Sequence, residues 1–195
     1  MTERFLSLFA PQKTDLPAFV ELDRLCLGGM WSLDGYRREW ESAKGFLLGL
    51  RDNEGLRGVG AFWQILEEAH ITLLMVHPEY RGLGWGRLLL LALLAEARRR
   101  QLERATLEVR ASNERAGNLY FSLGFRLAGT RKNYYDDPAE DAHILWLNGL
   151  QAPIWERRWQ THWRDSQDRL AQEGFALAPL GEGLLYNEAK LSPGI

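Results

Sequence analysis

The sequence predicts a mixed α/β protein, an α+β arrangement around one mixed sheet with a helical extension at its C-terminal end. Two observations carry this expectation. Short apolar runs bounded by turn residues alternate with segments of helical periodicity along most of the chain. A glycine-rich turn, from Arg81 through Gly82, Leu83, Gly84, Trp85 and Gly86 to Arg87, also joins one such strand to a long apolar helix. That join is where α/β proteins place anion sites.

The elements follow in order. Phe5 to Phe9 reads as a first strand. Thr14 and Asp15 offer an N-cap to a helix with Pro17 in its first turn and Phe19, Leu22, Asp23, Leu25 and Cys26 on a mixed face; Gly28 and Gly29 end it. Ser32 caps a second helix through Tyr36 and Trp40 to Ala43. Phe46 to Leu50 and Val59 to Leu66 form a hairpin about the turn Asp52 to Gly55, and Ala69 to Val76 is a further strand stopped by His77 and Pro78. A helix runs from Arg87 to Arg100, apolar nearly all round and therefore buried, with terminal arginines that complement its dipole. Ala105 to Val109 is a strand, and Asn113 caps a helix that Gly124 closes. Arg126 to Tyr134 and His143 to Leu147 complete the sheet. The pattern changes at Pro153, where Trp155, Trp159 and Trp163 recur every fourth residue towards Leu170, the stripe of an amphipathic helix. From Gly174 onward no element is assigned. The expected organisation is a domain over 1–147 and an extension over 148–195, helical and docked on the domain.

Composition excludes several classes. The 195 residues carry a formal net charge of −2, so no global field attracts nucleic acid or an anionic membrane. The local cluster Arg98 to Arg100 reads as a solvated helix end or as a nucleic-acid contact. With one cysteine, Cys26, no disulfide forms within the chain, which suits a reduced cytoplasmic compartment. Met1 to Phe5 lack a signal-peptide pattern, and the apolar run Leu88 to Ala95 is far below the roughly 20 residues of a membrane span. The histidines His70, His77, His143 and His162 show no metal-ligand spacing, so no metal is expected and each reads as solvated or structural.

The glycine turn is the first candidate site. Unpaired backbone N–H groups and a helix dipole favour an anion there, and small residues let the backbone approach a pyrophosphate. A Walker A loop is absent, and a dinucleotide fingerprint counted from Gly82 fails because Arg87 stands where the last glycine is required. From spacing alone, a plain tight turn remains the other reading.

The pattern R-x-x-G-x-G from Arg81 to Gly86, after His77 to Tyr80, is similar to the acyl-CoA pyrophosphate loop of the GNAT acetyltransferase superfamily. A second similarity lies downstream, in Leu107 to Asn113, Ala116 to Tyr120 and Leu123 to Phe125. The run Leu107 to Asn113, the tyrosines after Asn133 and the pair Trp31 and Ser32 resemble the RimI-type ribosomal-protein-alanine N-acetyltransferases. The resemblance covers about Thr14 to Leu147 and not the tail. It implies the GNAT acyl-CoA N-acyltransferase fold, with a sheet that splays between its fourth and fifth strands. It further implies acetyl-CoA as donor, held by the backbone from Gly82 through Leu83, Gly84, Trp85 and Gly86 to Arg87, by Asn113, and by a bulged fourth strand around Leu74, Met75 and Val76. Glu108 then matches the general base and Tyr120 the general acid, whereas the bare sequence leaves them as a surface strand carboxylate and a core-edge ring.

Trp31, Tyr134 and Tyr135 match segments that frame the acceptor groove, or else they are ordinary aromatic packing. The implied acceptor is a protein N-terminal amine, an alanine of a small-subunit ribosomal protein. A small amine or a lysine side chain is the alternative within the same chemistry, and a silent acyl-CoA-binding module the alternative outside it. Met30 departs from the family, which commonly has proline before the Trp–Ser pair.

Overall fold

The computed structural model describes residues 4–179. In chain order these form β1 (Arg4–Phe9), α1 (Leu16–Leu27), α2 (Leu33–Glu41), β2 (Gly45–Arg51), β3 (Leu56–Ile65), β4 (Glu68–Val76), α3 (Trp85–Arg99), β5 (Arg104–Arg110), α4 (Glu114–Ser122), β6 (Arg126–Asp136), β7 (Ala139–Asn148), α5 (Pro153–Gln172) and β8 (Phe175–Leu177). The strands make one mixed sheet in the order β6-β7-β5-β4-β3-β2-β1-β8.

Local chemistry sets the boundaries. Ser32 Oγ accepts from the Gly35 N–H and starts α2, and Gly28, left-handed at φ 77°, ends α1. Asp52 closes the β2–β3 turn by accepting from the Glu54 and Gly55 N–H groups at 2.8 and 3.0 Å. Helix α3 begins at Trp85, not Arg87, because the left-handed Gly84 already serves as its N-cap.

Both faces of the sheet are covered. Helices α1 and α2 lie on one side, with Leu16, Phe19 and Tyr36 packed on Val59, Ala61, Leu73 and Met75. Helix α3 lies on the other, and every residue from Leu88 to Ala95 is at most 2 % exposed. The strand beneath makes room for it: a Cβ at Gly58 or Gly60 would lie 2.8 or 2.9 Å from a Cδ1 of Leu89 or Leu93.

The bulge in β4 is at Thr72, where register with β3 steps from Ala61–Leu73 to Phe62–Ile71, and not at Leu74 to Val76 as the resemblance implied. The extra residue reverses the faces. Ala69 and Ile71 join the core under α3, whereas Leu73 and Met75 join the core under α1 and α2. A strand buried on both faces shows no clean alternation, so the sequence does not reveal where the register steps. Parallel pairing of β4 with β5 covers only Glu68 to His70 against Arg104 to Thr106, and the strands part beyond it.

The last helix is integral to the packing. Trp155, Trp159 and Trp163 of α5 are buried, and the Trp159 Nε1–H donates to the Leu91 carbonyl of α3 at 2.9 Å. Arg98 Nε pairs with Glu156 at 2.9 Å, and Arg99 and Arg100 both pair with the buried Glu96, so the basic cluster is spent on internal contacts. Strand β8 then pairs in parallel with β1. Its three residues are too short to leave a periodic signal. The tail beyond residue 179 lies outside the described residues.

Candidate active site

The turn before α3 places left-handed glycines at a helix N-terminus. Gly82 and Gly84 are left-handed at φ 95° and 91°, conformations that L side chains rarely adopt. A Cβ at Gly86 would sit 3.7 Å from both Val76 of β4 and Leu119 of α4, so loop, strand end and α4 converge. Arg81 turns away from the loop and donates from Nε to the Val76 carbonyl at 3.1 Å, where the Cys26 thiol also donates at 3.4 Å. Burial, ahead of the opposing influence of Arg81, pushes the Cys26 thiol above its usual value, so it stays a neutral donor. The Trp85 ring points inward, stacked on Tyr80 with centroids 4.5 Å apart, and Leu83 packs against the core.

The splay leaves strand amides facing a gap. The His77 N–H donates to the Arg57 carbonyl of the β3 side at 2.8 Å. By alternation the Leu74 and Val76 amides turn away from β3 towards the gap, while Met75 turns back to its partner Val59. Across the gap Asn113 caps α4, its Oδ1 accepting from the Ala116 N–H at 3.1 Å. Tyr120 on α4 is buried, edge-on to Phe125 at 5.7 Å. Burial first, and the neighbouring Tyr135 second, push its hydroxyl above the usual tyrosine value, so it remains a proton donor at neutral pH.

On the other side of the sheet a cavity of about 600 Å³ brings together Trp31, Trp63, His70, Glu108, Tyr134 and Tyr135. The Glu108 side chain is only 8 % exposed and both its oxygens are engaged, Oε2 with His70 Nε2 and Oε1 with Arg131 Nη1, each at 3.2 Å. Tyr120 does not line this cavity. Tyr135, which raises the Tyr120 value, does line it, and its own hydroxyl is pushed up by burial and then by Tyr134.

The loop carrying Trp31 hangs on a buried carboxylate. Asp23 is fully buried and accepts from the Met30 N–H at 2.8 Å, the Trp31 N–H at 2.9 Å and the Tyr36 hydroxyl at 3.0 Å. A proline at position 30 has no N–H for the first of these bonds, which is a physical reason for the methionine. Sequence reasoning placed Asp23 only on a helix face; a carboxylate among apolar neighbours seven residues before the Trp31 loop was the available signal.

Three further residues escaped the sequence. His70, read as solvated or structural, faces Glu108 because β4 and β5 still pair at that point. Arg169 of α5 donates to the Gly82 carbonyl and lays its Cδ against Gly84, 3.2 Å from where a Cβ would be. Arg115 Nη2 lies 3.0 Å from the equivalent point at Gly82. Arg87 Nη1 donates to Ser122 Oγ at 2.8 Å, and Nη2 meets His162 Nδ1 at 2.7 Å. Arg169 of α5 and Arg115 of α4 thus lie beside the glycine loop. Among the described residues no cluster of His, Cys, Asp or Glu is placed to hold a metal, and no helix is long and apolar enough to cross a membrane.

Comparison with known proteins points to one family. The model of the acetyltransferase (GNAT) family matches residues 16–125. The putative [ribosomal protein bS18]-alanine N-acetyltransferase of Bacillus subtilis is 32% identical over 134 residues, 68% of this chain and 89% of that protein. The [ribosomal protein bS18]-alanine N-acetyltransferase of Escherichia coli K12 is 35% identical over 138 residues, 70% of this chain and 93% of that protein. The crystal structure of the ribosomal-protein-S18-alanine N-acetyltransferase from Escherichia coli superposes with a TM-score of 0.68 at 33% identity, covering 73% of this chain and 93% of that one. A spermidine N-acetyltransferase from Vibrio cholerae, solved with CoA and spermine, shares the fold at a TM-score of 0.63 and 20% identity, over 74% of this chain and 95% of that one.

Proposed function

The chain belongs to the GNAT family of acetyl-CoA-dependent N-acetyltransferases, and we propose that its acceptor is a protein N-terminus, the N-terminal alanine of a small-subunit ribosomal protein. The observation that carries this reading is the cavity that gathers Trp31, Tyr134 and Tyr135 around Glu108. The Escherichia coli relative, a [ribosomal protein bS18]-alanine N-acetyltransferase, supports it. We read residues 1–147 as the catalytic domain and 148–195 as an extension, docked on it through its described part, 148–179.

Bound acetyl-CoA supplies the acetyl thioester that the acceptor amine attacks. The chain supplies the rest. The backbone from Gly82 to Arg87 fits the pyrophosphate, since two left-handed glycines and the α3 N-terminus present amides with no Cβ in the way. The Leu74 and Val76 amides face the gap where a thioester oxygen gains negative charge during attack, and Asn113 holds the α4 N-terminus beside it. An N-terminal ammonium, with a reference pKa of about 8, must lose a proton before it attacks; Glu108 accepts it. Tyr120 donates a proton to the departing thiolate and recovers one from the attacking nitrogen, which loses its second proton on becoming the amide.

The loop cations give a direct test of the cofactor site. Arg169→Ala should weaken acetyl-CoA binding about tenfold in calorimetry, the scale of one charge-assisted phosphate contact. Equal affinity would show that Arg169 only braces Gly82.

The acceptor is tested by intact-mass analysis with two peptides, one starting with free alanine and lacking lysine, the other N-terminally blocked with one internal lysine. Acetylation of the first alone is expected. Acetylation of the second alone moves the acceptor to a lysine or small amine, and modification of neither, with acetyl-CoA still bound, points to a silent module.

A further inference from the structure

Glu108 does not stand alone on its face of the sheet. Its Oε2 lies 3.2 Å from His70 Nε2. On the other side of the same ring, His70 Nδ1 lies 3.1 Å from Thr106 Oγ1, and the Thr106 hydroxyl donates to Glu68 Oε1 at 2.7 Å. The directions of these bonds are fixed by inventory. A carboxylate only accepts and a threonine hydroxyl has one hydrogen, which it gives to Glu68. Thr106 Oγ1 therefore accepts from His70, and His70 Nδ1 carries a hydrogen. That leaves Nε2 facing Glu108 either as a free lone pair or as a second N–H. Between Nε2 and Oε2 there is room for one proton, held by one partner or the other.

The surroundings match that role. The Glu108 side chain is almost fully enclosed, with Arg131 on its other oxygen, whereas the His70 side chain is 27 % exposed and lines the acceptor cavity. Glu68, 26 % exposed and paired with Arg104, supplies negative charge on the far side of the ring. A proton that Glu108 collects thus has a path outward through a histidine, while the enclosed carboxylate has no comparable exposure of its own.

Resting on the reading of Glu108 as base, we propose that His70 is the proton acceptor that resets Glu108, and that Thr106 and Glu68 are its positioning residues. In one turnover the acceptor ammonium gives a proton to Glu108, and the O–H bond so formed breaks as the proton moves to the Nε2 lone pair of His70. The imidazolium carries both ring hydrogens, stabilised by Glu68 through Thr106, and releases the Nε2 proton to water. Glu108 returns to its ionised form; of the two N–H bonds that the ammonium loses, one proton reaches solvent by this route and the other leaves with the thiol.

The test is chemical rescue in the full-length protein with saturating acetyl-CoA and the acetylated peptide identified above. His70→Ala should turn over about tenfold more slowly in dilute buffer, the low end for one proton-transfer group, with acetyl-CoA affinity unchanged. Added imidazole should restore the rate in proportion to its concentration, while wild type and Glu108→Gln do not respond. Thr106→Val should fall between wild type and His70→Ala. If His70→Ala is not folded by its melting curve, His70→Gln replaces it in the same experiment. Wild-type turnover in the His70 variant, or a loss that imidazole does not restore, overturns the relay. A crippled Glu108→Gln beside an unaffected His70→Ala defeats the relay alone; an unaffected Glu108→Gln defeats the base assignment and the relay together.

Discussion

Tyr120→Phe should lower the turnover number by about 100-fold or more, the range for loss of a general acid, while acetyl-CoA binds as before. The substitution removes a single oxygen. The ring stays edge-on to Phe125, so the core of α4 is retained and the folding midpoint should move little. What disappears is a donor kept protonated by its surroundings: burial, with Tyr135 adding to it, holds the hydroxyl above the usual tyrosine value of about 10. Only the protonated form can donate, so a raised value extends activity to higher pH. The wild-type rate should therefore show no alkaline decline from this group before about pH 10. Pre-steady-state acetyl transfer, followed by thiol release, measures both effects. Turnover within twofold of wild type would remove Tyr120 from the reaction and leave it as a core residue.

The sequence is most legible where a single element decides the outcome. The stop at His77 and Pro78, the glycine turn and the apolar run from Leu88 appear as strand, loop and buried helix because each has local causes: a missing donor, left-handed glycines, and helical periodicity without a polar face. The motif singled out Trp31, Tyr134 and Tyr135, and the three share one cavity with Glu108. What was not readable depends on residues brought together from different elements. The Thr72 bulge is invisible because Ile71 and Leu73 are both buried, on opposite faces. His70 meets Glu108 only through the short stretch where β4 and β5 still pair. Arg169 reaches the glycine loop across 87 residues of sequence, and nothing in a tryptophan stripe announces where the last turn of its helix arrives.

That same helix carries the largest expected loss of stability. Trp159→Ala should destabilise the protein by about 4 kcal/mol, the usual cost of emptying a buried tryptophan site. Trp159 is 5 % exposed and lies between Trp155 and Trp163, with ring centroids 6.5 and 5.1 Å away, so its removal opens a gap that neither rigid neighbour can fill. Its Nε1–H also reaches the Leu91 carbonyl, in a stretch of α3 with no solvent contact to replace the bond. Urea denaturation followed by circular dichroism gives the number, and Trp159→Phe should lose distinctly less because a ring remains in the stack. The consequence for function follows from where α5 ends. If Arg169 depends on the docked stripe to reach Gly82, then Trp159→Ala should weaken acetyl-CoA binding even under conditions where the sheet stays folded. A midpoint shifted by less than about 1 kcal/mol would mean that α5 adds little to the cooperative unit, since surface changes stay near that scale. The extension would then be an appendage resting on the enzyme and not a wall of its cofactor site.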